Sequence, residues 1–181
     1  MVMLVLSGPT ALSSFRVSKL RSELLADGLN VNSIDTQYMH FVDLNEKLNQ
    51  QDLAILTGLL LYGAEESQRS ELLQSDNLLR LVVPRRGTIS PWSSKATDIA
   101  RLCGLDKVLR IERGIAYRID ASKPNAADPF IHDRMTEEVV DTTKVEYLFE
   151  VQEAGSLRQF DLLGKGALAL QIANINLGLA L

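Results

Sequence analysis

The chain has very few of the residues that form cross-links or metal sites. Its 181 residues include one cysteine, Cys103, and two histidines, His40 and His132. A single cysteine excludes a disulfide framework or a cysteine-based zinc site within the chain. The histidines lie too far apart in sequence for the spacing of a zinc pair. We therefore expect no metal site built from cysteines or paired histidines in this chain.

An excess of basic charge is also missing. Lysine and arginine number 19 against 23 acidic residues, which gives a formal net charge of -4. Because nucleic-acid binding requires clustered cations to neutralise phosphates, this balance counts against a nucleic-acid partner. Met1–Leu6 is too short for a signal peptide, and Arg16 and Lys19 follow it rather than precede it. We expect a cytoplasmic protein with no membrane partner.

The last 16 residues, Gly166–Leu181, are almost wholly apolar but too short for a membrane span. A helix that is apolar on most faces must be covered. We therefore expect Leu168–Leu181 to be disordered, exchanged with a neighbouring molecule or folded back. Since this segment ends without a cap or a polar tail, we also expect the chain to be a piece of a larger protein.

Two strand–helix–strand patterns follow one another. Hydrophobic periodicity and turn residues predict, in order, strand Met1–Leu6, helix Ser13–Ala26, strand Val31–Val42, helix Gln50–Tyr62, a polar loop or ragged helix Glu65–Asn77, strand Leu78–Val83, a helix capped by Ser90 that stops at Gly104, and strand Val108–Ile119. The 46% hydrophobic content is that of a globular protein, and a length of 181 residues allows one domain and a small appendage.

The two patterns can be aligned with an offset of 76 to 77 positions. Ser13 then falls on Ser90, Phe15 on Trp92 and Gly28 on Gly104. We interpret this as an internal duplication with pseudo-repeats at about 1–62 and 78–121. A strand–helix–strand unit used twice predicts an α+β fold, with antiparallel sheets and helices packed on one face of each.

The segment Pro84–Lys95 runs from a strand end through a glycine turn into a capped helix. Free backbone N–H groups at such a helix start can hold a phosphate or carboxylate, with Arg85, Arg86 or Lys95 alongside. The structural alternative is that Ser90 caps the helix, Trp92 packs and the charges are solvated.

His132–Thr136 is the second candidate, because His132 and Arg134 flank Asp133 and could serve acid–base chemistry or anion contacts. A surface or interface network is the alternative. His40 is interpreted as structural. We expect Cys103 to be buried on a helix face formed with Ala96, Ile99 and Ala100. No catalytic constellation is visible in the sequence.

At these same residues the chain resembles a known family. Gly87–Ala100 closely resembles a signature of the N-terminal region of large-type phosphoribosylformylglycinamidine synthases, and further matches are Tyr38–Leu44, Arg110–Tyr117 and His132–Glu137. Phe160–Leu163 through Asn176–Leu181 looks like the start of the family's linker domain. The resemblance therefore implies a domain at 1–150, similar to a dimer of the small accessory subunit of the split enzyme, and a truncated, short helical linker domain at 151–181.

The family enzyme is a ligase of purine biosynthesis that converts formylglycinamide ribonucleotide, ATP and glutamine into formylglycinamidine ribonucleotide. Its ATP and magnesium residues lie in a central synthetase domain and its glutaminase cysteine lies in a C-terminal domain, so the resemblance places no catalytic, cofactor-binding or metal residue in this chain. It implies an inactive scaffold that braces synthetase against glutaminase. The family usually has proline where Arg86 stands, which does not favour anion binding by Arg86.

The predicted contacts with the other domains or the substrate cleft are Arg85, Thr88, Ser90, Trp92, Ser93, Ser94, Lys95, His132 and Arg134. Two other hypotheses remain open. The chain could be a small enzyme or sensor of a phosphate ligand that uses Arg85, Arg86 and the helix start at Ser90. It could also be a stand-alone scaffold that dimerises through strand edges or the apolar C-terminal segment.

Overall fold

Five antiparallel strands form one sheet in the order β1-β2-β4-β3-β5. The computed structural model describes residues 2–63, 79–140, 145–150, 155–156 and 159–177. The strands are β1 (Val2–Ser7), β2 (Val31–Leu44), β3 (Leu79–Pro84), β4 (Val108–Ala121) and β5 (Glu137–Val140). The helices are α1 (Ser14–Ala26), α2 (Gln50–Leu60), α3 (Pro91–Leu102), α4 (Asp128–Ile131), α5 (Leu162–Lys165) and α6 (Ala167–Leu177). The α+β prediction is confirmed.

The two longest strands, β2 and β4, pair along nearly their whole length. The register places Ile34 opposite Ile119 and Val42 opposite Ile111, and these four apolar residues share one face of the sheet. Because of this pairing the two predicted units share one sheet rather than forming separate sheets. The topology sets the two strand–helix–strand segments side by side, but their origin by duplication stays a prediction.

One face of the sheet carries the main helices. Leu20 and Leu24 of α1 pack on Ile34 and Ile119, whereas Leu56 of α2 and Ala100 of α3 pack near Val42 and Ile111. The opposite face buries Phe41, Leu81 and Val83 against Leu148 and Phe149 of a 3-10 turn, Glu146–Phe149. The predicted cap of α3, Ser90, is confirmed, and Ser13 likewise caps α1. The predicted loop Glu65–Asn77 lies outside the described residues.

The prediction that Cys103 is buried is wrong, because Cys103 is exposed. It is the C-cap residue of α3, just beyond the helix, and Ile99 is 44% exposed. Ala100 of the predicted face is buried as expected, and the other buried residues of α3 are Ser93 and Thr97. Thr97 lies on this buried side because its Oγ1 accepts a hydrogen bond of 3.0 Å from the backbone N–H of Ile111.

The chain divides into two units, Met1–Val151 and Gln152–Leu181. The second contains α5 and α6, and its assignment as the start of a linker domain stays a prediction. Residues 168–177 of the predicted Leu168–Leu181 segment are described and are helical, whereas exchange with a neighbouring molecule or folding back stays a prediction. Leu168, Leu170, Ile172 and Ile175 of α6 are exposed, and Ala169 and Ala173 are the buried residues among those of α6 whose burial is described. Among the described residues, no helix is long and apolar enough to cross a membrane.

Candidate functional site

The turn between β3 and α3 is fixed by short local bonds. The backbone N–H and the hydroxyl of Thr88 both donate to the carbonyl of Arg85, at 3.1 and 2.6 Å. Gly87 has a φ of 78°, a left-handed conformation that glycine adopts without a steric penalty. These bonds therefore fix the backbone conformation of the turn that leads to Ser90.

Ser90 joins this turn to the sheet. Its hydroxyl accepts from the N–H of Ser93 and donates to Oε2 of Glu112, both at 3.0 Å. Glu112 is fully buried and forms an ion pair with Arg110, which also donates to the carbonyl of Thr88 at 2.9 Å. Burial of this carboxylate is tolerated because it is paired and hydrogen-bonded.

The two segments predicted as functional from the sequence lie together. The N–H of Arg85 donates to the carbonyl of Thr136 at 3.0 Å, and its guanidinium contacts the carbonyl of Arg134 at 3.5 Å. His132 does not join them. Its Nδ1 lies 2.5 Å from the carbonyl of Asp128, and its side chain does not line the cleft described next.

A cleft of about 360 Å³ opens where these loops meet the sheet. Its walls come from the end of β3, the middle of β4, the start of α3 and the start of β5. Its polar or charged lining residues are Thr88, Ser90, Arg113, Thr136 and Glu137, and Trp92 contributes an aromatic wall. The cleft thus combines one cation, one carboxylate and several hydroxyls on a scaffold of strands and a helix.

Arg113 is the centre of an aromatic cluster beside the cleft. Its guanidinium carbon lies 4.4 Å from the ring centre of Tyr38, 4.6 Å from Trp92 and 6.0 Å from Tyr62. Such cation–π contacts stabilise a partly desolvated guanidinium. The buried His40 contacts Trp92 and places Nε2 2.5 Å from the hydroxyl of Tyr62. His40 is thus a packed member of this cluster.

Tyr62 is held in an unfavourable backbone conformation. Its φ of 53° is left-handed, which is rare for a bulky residue, and it follows Leu61, the C-cap residue of α2. Burial raises the pKa of its phenol, while a hydrogen bond and the charge of Arg113 act in the opposite direction. The neutral phenol can accept from Arg113 and donate to His40, which links the two across the helix-bearing face of the sheet.

The remaining predicted contact residues are placed as follows. Lys95 lines a smaller, mainly apolar pocket of about 150 Å³ between α2 and α3, together with Tyr62 and Trp92. Ser94 and Arg134 are exposed. Ser93 is instead fully buried, and its hydroxyl has no hydrogen-bond partner among the described residues. Arg86 forms an ion pair with Glu150, so its guanidinium is not free to bind an anion as hypothesised.

Sequence reasoning did not identify Arg113, Tyr38, Tyr62 or Glu137 as site residues. Their common position depends on strand pairing, because His40 lies opposite Arg113 in the β2–β4 register. Local patterns contain no signal for that register. Among the described residues, no group of three or more histidine, cysteine or acidic side chains could hold a metal.

The chain was compared with known protein families. Residues 37–149 match the family described as Formylglycinamide ribonucleotide amidotransferase N-terminal. This span is more than half of the chain. It runs from the middle of β2 to the 3-10 turn Glu146–Phe149, and it contains every residue that lines the cleft.

Proposed function

The chain belongs to the family of formylglycinamide ribonucleotide amidotransferase N-terminal regions, and we propose that it acts as a scaffold and coupling domain of that enzyme. In this proposal the catalytic centres lie outside the chain, in synthetase and glutaminase domains of the same polypeptide. The enzyme is the cytoplasmic, ATP-dependent ligase that makes formylglycinamidine ribonucleotide for purine biosynthesis. The chain keeps those two domains in the geometry that couples their reactions.

The observation that supports this proposal is the joining of the two predicted contact loops by Arg85. We call their exposed outer face the docking surface, and its members are Arg85, Ile89, Arg134 and Met135. Ile89 is 63% exposed and Met135 is 80% exposed. Apolar and arginine side chains that protrude beside each other are typical of the centre of a protein interface.

The proposal is tested in the full-length enzyme. Met135→Asp places a charge on the docking surface, and Leu102→Asp is its matched control, because Leu102 is 87% exposed at the C-terminal end of α3. We expect Met135→Asp to lower glutamine-dependent synthesis about tenfold or more, equivalent to at least about 1.4 kcal/mol, with ammonia-dependent synthesis retained. Leu102→Asp should leave both rates unchanged.

Trp92→Ala and Lys95→Ala extend the test to the helix beside that surface. Both are expected to lower the glutamine-dependent rate in the same assay. Wild-type glutamine-dependent rates for Met135→Asp, Trp92→Ala and Lys95→Ala together would contradict the coupling role.

A second candidate function is that of a self-associating scaffold. The exposed Leu168, Leu170, Ile172 and Ile175 of α6 favour it, because such a row of aliphatic side chains is commonly covered by a partner. Sedimentation velocity over a range of concentrations tests it. A monomer at all concentrations would exclude this candidate.

A further inference from the structure

We propose that the cleft beside Arg113 is a binding site for a small carboxylate ligand. The proposal concerns the chain itself and does not depend on the coupling role. The volume of the cleft, about 360 Å³, lies within the range of small-molecule sites, about 300–1,000 Å³.

The first argument is the state of the Arg113 guanidinium. It is packed against the rings of Tyr38 and Trp92, so its polar contact points are the N–H groups at the edge of its plane. A guanidinium has five N–H donors, and the contact with Tyr62 engages one side of the group. A planar carboxylate matches the remaining N–H pairs, because both groups are flat and can form two parallel hydrogen bonds.

The second argument is the distribution of charge around the cleft. Among the described residues, Arg110 is paired with Glu112 and Arg86 with Glu150, but Arg113 forms no ion pair. Glu137 also lines the cleft, and its Oε2 accepts a 2.9 Å hydrogen bond from the N–H of Asp133. A half-buried cation without a carboxylate partner at the wall of a cavity favours an anionic ligand.

The third argument is preorganisation. Arg113 projects from the middle of β4, and Trp92 lies at the start of a helix whose cap is bonded to the buried Glu112. The aromatic contacts already restrict the guanidinium, so less side-chain entropy is lost when a ligand binds. The neighbouring hydroxyl of Thr136 can add a hydrogen bond to the same ligand.

The chain carries its own reporter for this site. Trp92 is the only tryptophan of the sequence and lines the cleft. We therefore propose to titrate the 181-residue chain with succinate at constant ionic strength and to follow tryptophan fluorescence. Inorganic phosphate and sodium chloride are titrated in parallel. We expect a saturable change with succinate and none with the other two salts.

Variants connect the signal to the residues. Arg113→Lys keeps the charge but removes the paired N–H geometry, and we expect it to raise the succinate dissociation constant at least tenfold. Arg16→Lys makes the same replacement at an exposed position of α1 and should have no effect. Glu137→Gln should tighten binding several-fold, because it removes a negative charge that repels the carboxylate ligand. This variant also decides the matter if circular dichroism shows that Arg113→Lys is unfolded.

Three results would overturn the proposal. The first is a succinate response no different from that of sodium chloride, which would indicate an ionic-strength effect only. The second is saturable binding of phosphate that equals or exceeds that of succinate, which would assign the site to another anion. The third is a succinate affinity that is unchanged in both Arg113→Lys and Glu137→Gln.

Discussion

One position in the sheet beside the cleft has no room for a side chain larger than that of glycine. Gly114 lies in β4 where the strand passes beneath the cleft, and a Cβ built there would lie 2.6 Å from the carbonyl oxygen of Val82 and 3.3 Å from the ring of Phe41. Since backbone cannot move aside as a flexible side chain can, glycine is required here for a close approach of two strands.

Gly114→Ala should therefore lower the free energy of unfolding by about 1–3 kcal/mol, as overpacking does in a well-packed interior. The matched control is Gly58→Ala in α2, where nothing lies within 4 Å of the added Cβ. That change should raise stability by about 0.5–1 kcal/mol, since alanine has the higher helix propensity. Urea denaturation of both variants measures the difference, and equal shifts would contradict the packing argument.

Tyr117 gives a prediction for alkaline pH. It is 4% exposed, and burial raises its pKa from 10.0 to about 12. A raised pKa means that the folded chain retains a proton that the unfolded chain loses. The protonated Tyr117 phenol therefore contributes to the free energy of unfolding below pH 10, and this contribution is lost as pH rises through about 12. The loss over that window amounts to about 2 kcal/mol. Urea denaturation from pH 8 to 11.5 should show a smaller loss for Tyr117→Phe than for the wild type.

At the scale of elements, the starts of α1 and α3 were predictable because caps are local. Ser13, Ser90 and Pro91 define helix starts from a few adjacent residues. The buried side of α3 was only partly predictable, because β4 determines it. Polar Thr97 faces inward to satisfy the Ile111 N–H, whereas apolar Ile99 faces out. A periodicity that counts only hydrophobic residues therefore locates Ala100 correctly but misses Ser93 and Thr97.

The two serine caps should differ in strength although their residue type is the same. Ser13 accepts one hydrogen bond of 3.4 Å from Arg16 at an exposed site. Ser90 caps α3 and also donates to the buried carboxylate of Glu112. We expect Ser13→Ala to cost about 0.5–1 kcal/mol and Ser90→Ala about 2 kcal/mol or more, since the latter also removes a donor from a buried charge. Thermal denaturation of both variants makes the comparison, and equal costs would show that the Glu112 bond is without effect.

At the scale of the whole molecule, the pairing of β2 with β4 makes the first unit one body. The two strand–helix–strand segments each contribute one of these strands, and the aromatic cluster draws His40 from β2 and Arg113 from β4. The α+β class followed from the order of elements in the sequence. The single sheet and the cleft did not, because both depend on which strands become neighbours.

Phe41→Ala tests this unity. Phe41 is fully buried on the face opposite the helices, and its truncation should cost about 3–5 kcal/mol. Trp92 belongs to the other strand–helix–strand segment, so its fluorescence reports on that segment. We expect the fluorescence and far-ultraviolet circular dichroism transitions to shift together toward lower urea concentration. A fluorescence transition that stays at its wild-type position would show that the segments unfold separately.

The left-handed backbone at Tyr62 has a consequence for laboratory evolution. Glycine or asparagine would fit this φ better, yet neither carries a phenol that could join His40 to Arg113. Selection for thermal stability alone should therefore replace tyrosine at this position. Selection for ligand binding should retain tyrosine. Opposite outcomes of the two selections would show that Tyr62 serves binding rather than stability.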